Sequence, residues 1–168
     1  MISEIRFTGC VYARNHEGSK DTALISILDA RSPLIRPNPV RFAKSLFLSF
    51  KDRGEEDFSD IPDSWPDEPD ADFSMSKLHD PMERLVGIQD MELVLKFFRE
   101  MDSDPWVTKF VVHCKSGVSR SAAIALWLGK HYDIPTHKVG PDKRIMPSPR
   151  ITRLMDKAYA KYRDKHDK

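Results

Sequence analysis

The stretch Val111-Val112-His113-Cys114-Lys115-Ser116-Gly117-Val118-Ser119-Arg120-Ser121 decides how this chain is read. Val107 to Val112 is rich in apolar and β-branched residues and predicts a buried strand. Ala122 to Leu128 is an unbroken run of Ala, Ile, Leu and Trp and predicts a buried helix. Ser116, Gly117 and Ser119 between them suit a tight loop. The unit is therefore strand, loop, helix, with Cys114 at the strand's end. Loop amides and the helix N-terminus would converge there and favour an anion. Arg120 opens the helix and brings a planar fork that fits an oxyanion. A cysteine among amide dipoles and an arginine is expected to be a thiolate near neutral pH. A thiolate beside an oxyanion cradle (Lys115, Ser116, Gly117, Val118, Ser119 and Arg120) points to attack on phosphorus through a phosphocysteine. The competing reading is a buried structural cysteine ahead of a core helix.

From His113 to Ser121 the residues spell HCxxGxxRS. This stretch resembles the signature of the cysteine-dependent protein tyrosine phosphatases in their compact dual-specificity form. Leu24-Ile25-Ser26-Ile27 with Asp29, and Leu46-Phe47-Leu48-Ser49-Phe50-Lys51-Asp52, are similar to bacterial and phage phosphatases of that type. The resemblance covers roughly residues 23–52 and 85–131. It implies that His113 sits behind the loop, orders it through hydrogen bonds and helps keep Cys114 ionised. It also implies that Ser121 hydrogen-bonds the Cys114 sulfur and eases its departure from phosphorus.

Composition bounds the remaining possibilities. At 168 residues the chain is read as one domain, residues 1–168, with an acidic, Pro-rich insertion at about 52–80. A formal net charge of +1 gives no argument for nucleic acid or a membrane surface. Hydrophobic residues at 40% and charged residues at 32% are ordinary for a globular domain. The two cysteines, Cys10 and Cys114, make neither a disulfide framework nor a metal-ligand spacing. No signal peptide or membrane span is visible, and a thiolate nucleophile needs a reducing compartment, so a cytoplasmic monomer is expected. No metal or cofactor is expected. No GxxxxGK[ST] occurs, which disfavours a nucleotide-binding loop.

Along the chain, Ile5 to Tyr12 predicts a first strand and Asn15 to Ser19 a turn. Thr22 to Leu28 is near-continuously apolar, as a strand buried on both faces requires. Pro37-Asn38-Pro39 predicts that no helix forms there. Ala43 to Phe50 reads as a third strand. Asp80-Pro81-Met82-Glu83 combines an N-cap, a Pro at N1 and a Glu at N3, so a helix should begin there. Ile88, Met91, Val94, Leu95, Phe98 and Met101 follow at helical spacing as its core face. Asp102 to Pro105 ends it, Lys130 to Pro135 reads as a turn, and a last helix carries Ile151, Leu154, Met155, Ala158 and Tyr162. The fold class is α/β: three layers around a mostly parallel sheet of four or five strands with helices on both faces.

Phosphate-ester cleavage also needs a carboxylic acid to protonate the leaving oxygen, and its carboxylate to activate water afterwards. Asp52 follows the third strand directly, and the resembled group places its acid there. Asp67 lies in Trp65-Pro66-Asp67, the tripeptide of the acid loop in the larger tyrosine-specific phosphatases. Asp80 is explained by its N-cap role. The order of preference is Asp52, Asp67, Asp80. Lys115 either attracts an anionic substrate or is simply solvated, and Asp29 either braces the loop or caps a turn. Cys10 is taken as a small core residue rather than a redox partner of Cys114. Arg31, Lys143 and Arg144 are candidates for the rim. The expected function is hydrolysis of a phosphorylated protein or small phosphomonoester. The alternatives are a phosphate-binding pseudophosphatase and rhodanese- or arsenate-reductase-like chemistry.

Overall fold

A computed structural model describes residues 1–51 and 85–166. Five strands form one sheet in which every pair is parallel, in the order β3-β2-β4-β1-β5. The strands are β1 (Glu4–Gly9), β2 (Thr22–Leu28), β3 (Lys44–Ser49), β4 (Lys109–Cys114) and β5 (Thr136–Lys138). The helices are α1 (Cys10–His16), α2 (Ile88–Asp102), α3 (Arg120–Tyr132) and α4 (Pro149–His166). Each residue of β2 is buried, as the near-continuous apolar run requires for a strand between two neighbours.

Side chains alternate across a strand, so the sheet has two faces with different covers. Ile5, Phe7, Ala23, Ile25, Ile27, Phe110 and Val112 join buried residues of α2, α3 and α4 in the main core. The expected apolar face of α2 is buried there, and Phe98 meets Phe110 edge-to-face at 5.1 Å. Full burial of each such side chain is worth about 1.5–3 kcal/mol. On the opposite face Leu24 and Val111 pack with Phe42. Arg6 alternates with Ile5 and Phe7, and its guanidinium meets Glu17, just beyond α1, at 3.6 Å. These contacts put α1 on that second face, completing the three layers.

Several local expectations are corrected. The strand predicted over Ile5 to Tyr12 stops at Gly9, and Cys10–His16 is a helix. The apolar run continues, but the Cys10 amide donates to the Lys115 carbonyl at 3.1 Å, which turns the chain off the sheet. Cys10 and Ala13 then form the helix's buried side, and Tyr12 packs its ring on His16 at 4.4 Å. The predicted turn at Asn15 to Ser19 accordingly begins only after His16. Pro39–Arg41 forms a single 3-10 turn, where no helix was expected. The fixed φ of Pro39 suits a first helical position, and the Asn38 carboxamide oxygen accepts from the Val40 amide at 3.1 Å. The α2 core face begins its helix at Ile88, with Gly87 at the N-cap and its amide donating to Asp90 at 2.9 Å. The start predicted at Asp80 to Glu83 lies outside the described residues. Lys130 to Tyr132 still belongs to α3, and the turn is made by Asp133 at φ 55°. β5 follows as an edge strand that the sequence reading did not place. No helix among the described residues is long and apolar enough to cross a membrane.

Candidate active site

The site forms where β1 and β4 end side by side, Gly9 in register with Cys114. A parallel sheet offers its ligand crevice at this carboxyl edge. Residues 115–119 loop from β4 into α3, and the carbonyls of Lys115, Val118 and Ser119, like that of Cys114 before them, are tied to the surrounding framework. The carbonyl of Cys114 lies 3.2 Å from His113 Nδ1, and that of Lys115 accepts from the Cys10 amide. The Val118 carbonyl accepts from the Met146 amide at 2.9 Å, and that of Ser119 from the Ala123 amide at 2.9 Å. A trans peptide sets each carbonyl antiparallel to the next N–H. The amides of Lys115, Ser116, Ser119 and Arg120 are therefore turned away from the framework, as an anion cradle needs.

Gly117 is essential to this path. It has φ +73°, and a Cβ there would lie 2.3 Å from the Thr8 carbonyl carbon. Only glycine combines that backbone with that approach to β1. The same turn brings the Gly117 amide to 3.3 Å from Cys114 Sγ, to which it donates. Ser121 Oγ lies 3.2 Å from the same sulfur, within the hydrogen-bond contact expected of it.

Arg120 is 4% exposed, and its guanidinium is fixed from one edge. One terminal nitrogen donates to Asp29 Oδ1 and to the Phe50 carbonyl, each at 2.8 Å. Its Nε is buried and has no partner among the described residues. A buried guanidinium with one edge braced and an N–H unspent is suited to an oxyanion. Asp29 thus braces the loop through Arg120.

His113 is wholly buried behind the loop, with Nε2 2.7 Å from Ser26 Oγ. Burial pushes its pKa down to about 4, against the pull of the Cys114 carbonyl and with help from the charges of Arg36 and Arg120. The ring is neutral at physiological pH, so it orders the loop without lending Cys114 a positive charge. Arg36 completes this rear wall. One of its terminal nitrogens donates to the carbonyl and hydroxyl oxygens of Ser26, the other to the Leu48 carbonyl and Ser49 Oγ. Neither Ser26 nor Arg36 was singled out as functional from sequence. A serine inside a wholly buried strand was the available signal, because its hydroxyl must find a partner.

Cys10 lies closer to the loop than expected. Its thiol donates to the Ile35 carbonyl at 3.3 Å, and burial raises its pKa. A cleft of about 240 Å³ borders the loop on the β5 side, with Tyr12, Lys115, Ser116, Lys138 and Asp142 among its walls. Lys115 is exposed at its edge, and Lys143 and Arg144 belong to the turn that carries Asp142. Arg144 holds the Asp142 carboxyl well below the usual carboxylate range through side-chain and backbone hydrogen bonds. The candidate acids Asp52, Asp67 and Asp80 all lie outside the described residues, as does the insertion at 52–80. Compared with protein-family models, with curated proteins and with solved structures, the chain matches none.

Proposed function

We propose that this protein is a phosphomonoester hydrolase of the cysteine-dependent tyrosine or dual-specificity phosphatase type, working through a phosphocysteine on Cys114. The observation that carries this reading is the loop from Cys114 to Ser121. Its sulfur receives the Gly117 amide, the carbonyls of Cys114, Lys115, Val118 and Ser119 are tied to the framework, and Arg120 carries a braced guanidinium whose Nε has no partner among the described residues. In the first step the Cys114 thiolate attacks phosphorus, and loop amides and Arg120 hold the equatorial oxygens. A carboxylic acid protonates the departing oxygen. In the second step the resulting carboxylate takes a proton from water, which attacks phosphorus. The sulfur then leaves, accepting a hydrogen bond from the Ser121 hydroxyl.

Two carboxylates near the loop are committed elsewhere, Asp29 to Arg120 and Asp142 to Arg144. Asp52 is our choice for the acid. The Phe50 carbonyl, two positions before it, is bonded to Arg120. The remainder of the substrate would extend over the cleft beside Lys115 and Ser116.

Cys114→Ser should abolish hydrolysis of an aryl phosphate, and rapid quenching of the unaltered protein should trap phosphate on Cys114. Retained turnover in the variant would sink the reading, and binding without a trapped intermediate would mark a phosphate-binding protein instead. Asp52→Asn should lower kcat by about 10²–10⁴-fold and flatten the basic limb of the pH–rate profile. An unaltered profile would pass the role to Asp67 or Asp80.

A further inference from the structure

Arg36 is a cation that the proposed chemistry does not use. It is half-buried between β2 and β3, and burial lowers its pKa. Among the described residues no carboxylate pairs with it. Its charge is met by the Ser26 carbonyl at 2.5 Å, Ser26 Oγ at 2.8 Å, the Leu48 carbonyl at 2.9 Å and Ser49 Oγ at 3.0 Å. The Phe47 ring lies below it at 5.1 Å. Partly burying a cation on neutral acceptors is costly, so its position calls for an explanation.

The direction of the hydrogen bonds supplies one. A guanidinium can only donate, so Ser26 Oγ accepts from Arg36. At the other end the Cys114 carbonyl can only accept, so His113 Nδ1 carries the hydrogen. The neutral ring then has a bare Nε2, and the single Ser26 hydroxyl hydrogen is what fills it. The groups form one donor chain, each pointing the same way: Arg36 to Ser26, Ser26 to His113, His113 to the Cys114 carbonyl.

We propose that Arg36 is a positioning residue that polarises this chain, holds His113 in its Nδ1–H form and so fixes the Cys114–Lys115 peptide under the phosphate cradle. The fold supports a dedicated role, because the segment after β2 meets the site three times. Asp29 braces Arg120, the Ile35 carbonyl accepts from the Cys10 thiol, and Arg36 anchors Ser26. Without Arg36 the Ser26 hydroxyl is free to rotate and accept from Nε2–H. That reverses the chain and leaves a lone pair on Nδ1 facing the Cys114 carbonyl.

The catalytic consequence rests on the function proposed above, but the donor chain does not, and the test separates them. Ring ¹⁵N shifts of His113 should show the neutral Nδ1–H tautomer in the unaltered protein. Arg36→Met should give mixed tautomers and lower kcat on an aryl phosphate by about ten- to a hundredfold, the scale of a small misplacement, whereas Ser26→Ala, which removes the acceptor for Nε2–H, should keep the Nδ1–H form and shift the resonance of the bare Nε2. Ser26→Ala keeps the Arg36 bonds to Leu48 and Ser49, so it reads the chain without removing the strut between strands. Arg36→Lys should recover only part of kcat, because an ammonium lacks the two-sided fork. An Nε2–H or doubly protonated ring in the unaltered protein would overturn the proposal. So would an unmoved tautomer, or kcat within twofold, in Arg36→Met, or an Nε2–H ring in Ser26→Ala. If the unaltered protein shows the Nδ1–H signature yet no turnover, the donor chain stands and the hydrolase reading falls.

Discussion

His113 links folding stability to pH through a single proton. Its folded pKa is pushed down to about 4, against about 6.5 for the exposed ring. Between those values the unfolded chain binds a proton that the folded chain refuses, so stability falls as pH drops through the window. The slope from this group is at most about 1.4 kcal/mol per pH unit. Urea unfolding from pH 7 to pH 4 should show that slope in the unaltered protein and lose it in His113→Asn. Equal slopes would mean that the ring titrates normally in the fold. At this scale Cys114, Arg120 and Ser121 were legible because their pattern is local: eight successive positions, 114–121, place the sulfur, the fork and the hydroxyl together. Arg36 was not, since its meaning depends on Ser26 and Ser49 in two other segments, and a lone arginine between Ile35 and Pro37 carries no pattern.

The strand-to-helix units behave as their periodicities predict, and the exceptions have identifiable causes. β2 and β4 were readable because burial on both faces leaves a nearly continuous apolar run. α2 and α4 were readable because one face repeats at helical spacing. β5 was missed because it is three residues long at an edge and carries Thr136, His137 and Lys138, without apolar alternation. α1 was missed because Cys10 to Tyr12 continues the apolar character of β1, and only the bond to Lys115 separates them. The end of α3 offers a test at this scale. Asp133 holds φ 55° and ψ 46° where glycine is favoured, and the following amide of Ile134 closes the turn on the Gly129 carbonyl at 2.9 Å. Asp133→Gly should raise unfolding stability by about 0.5–1 kcal/mol, read as an increase in Tm with turnover unchanged. A lower Tm would show that the Asp133 side chain contributes more than its backbone strain costs.

For the whole molecule, α/β class and layering followed from the alternation of strand and helix signals, whereas strand order did not. Hydrophobic pattern says that a strand is central but not which neighbours it takes. The order β3-β2-β4-β1-β5 has a consequence in time. β1 stands between β4 and β5, so it is synthesised before both of its partners, which begin at Lys109 and Thr136. Pairings this distant in the chain carry a loop-closure cost before any contact rewards it, which slows their formation. β2 and β3 can join early, but Gly9 meets Cys114, and Thr8 receives Gly117, only when β1 finally docks. The loop after Cys114 is thus among the last parts of the protein to take shape, and a correctly formed Cys114 loop reports that the sheet has closed.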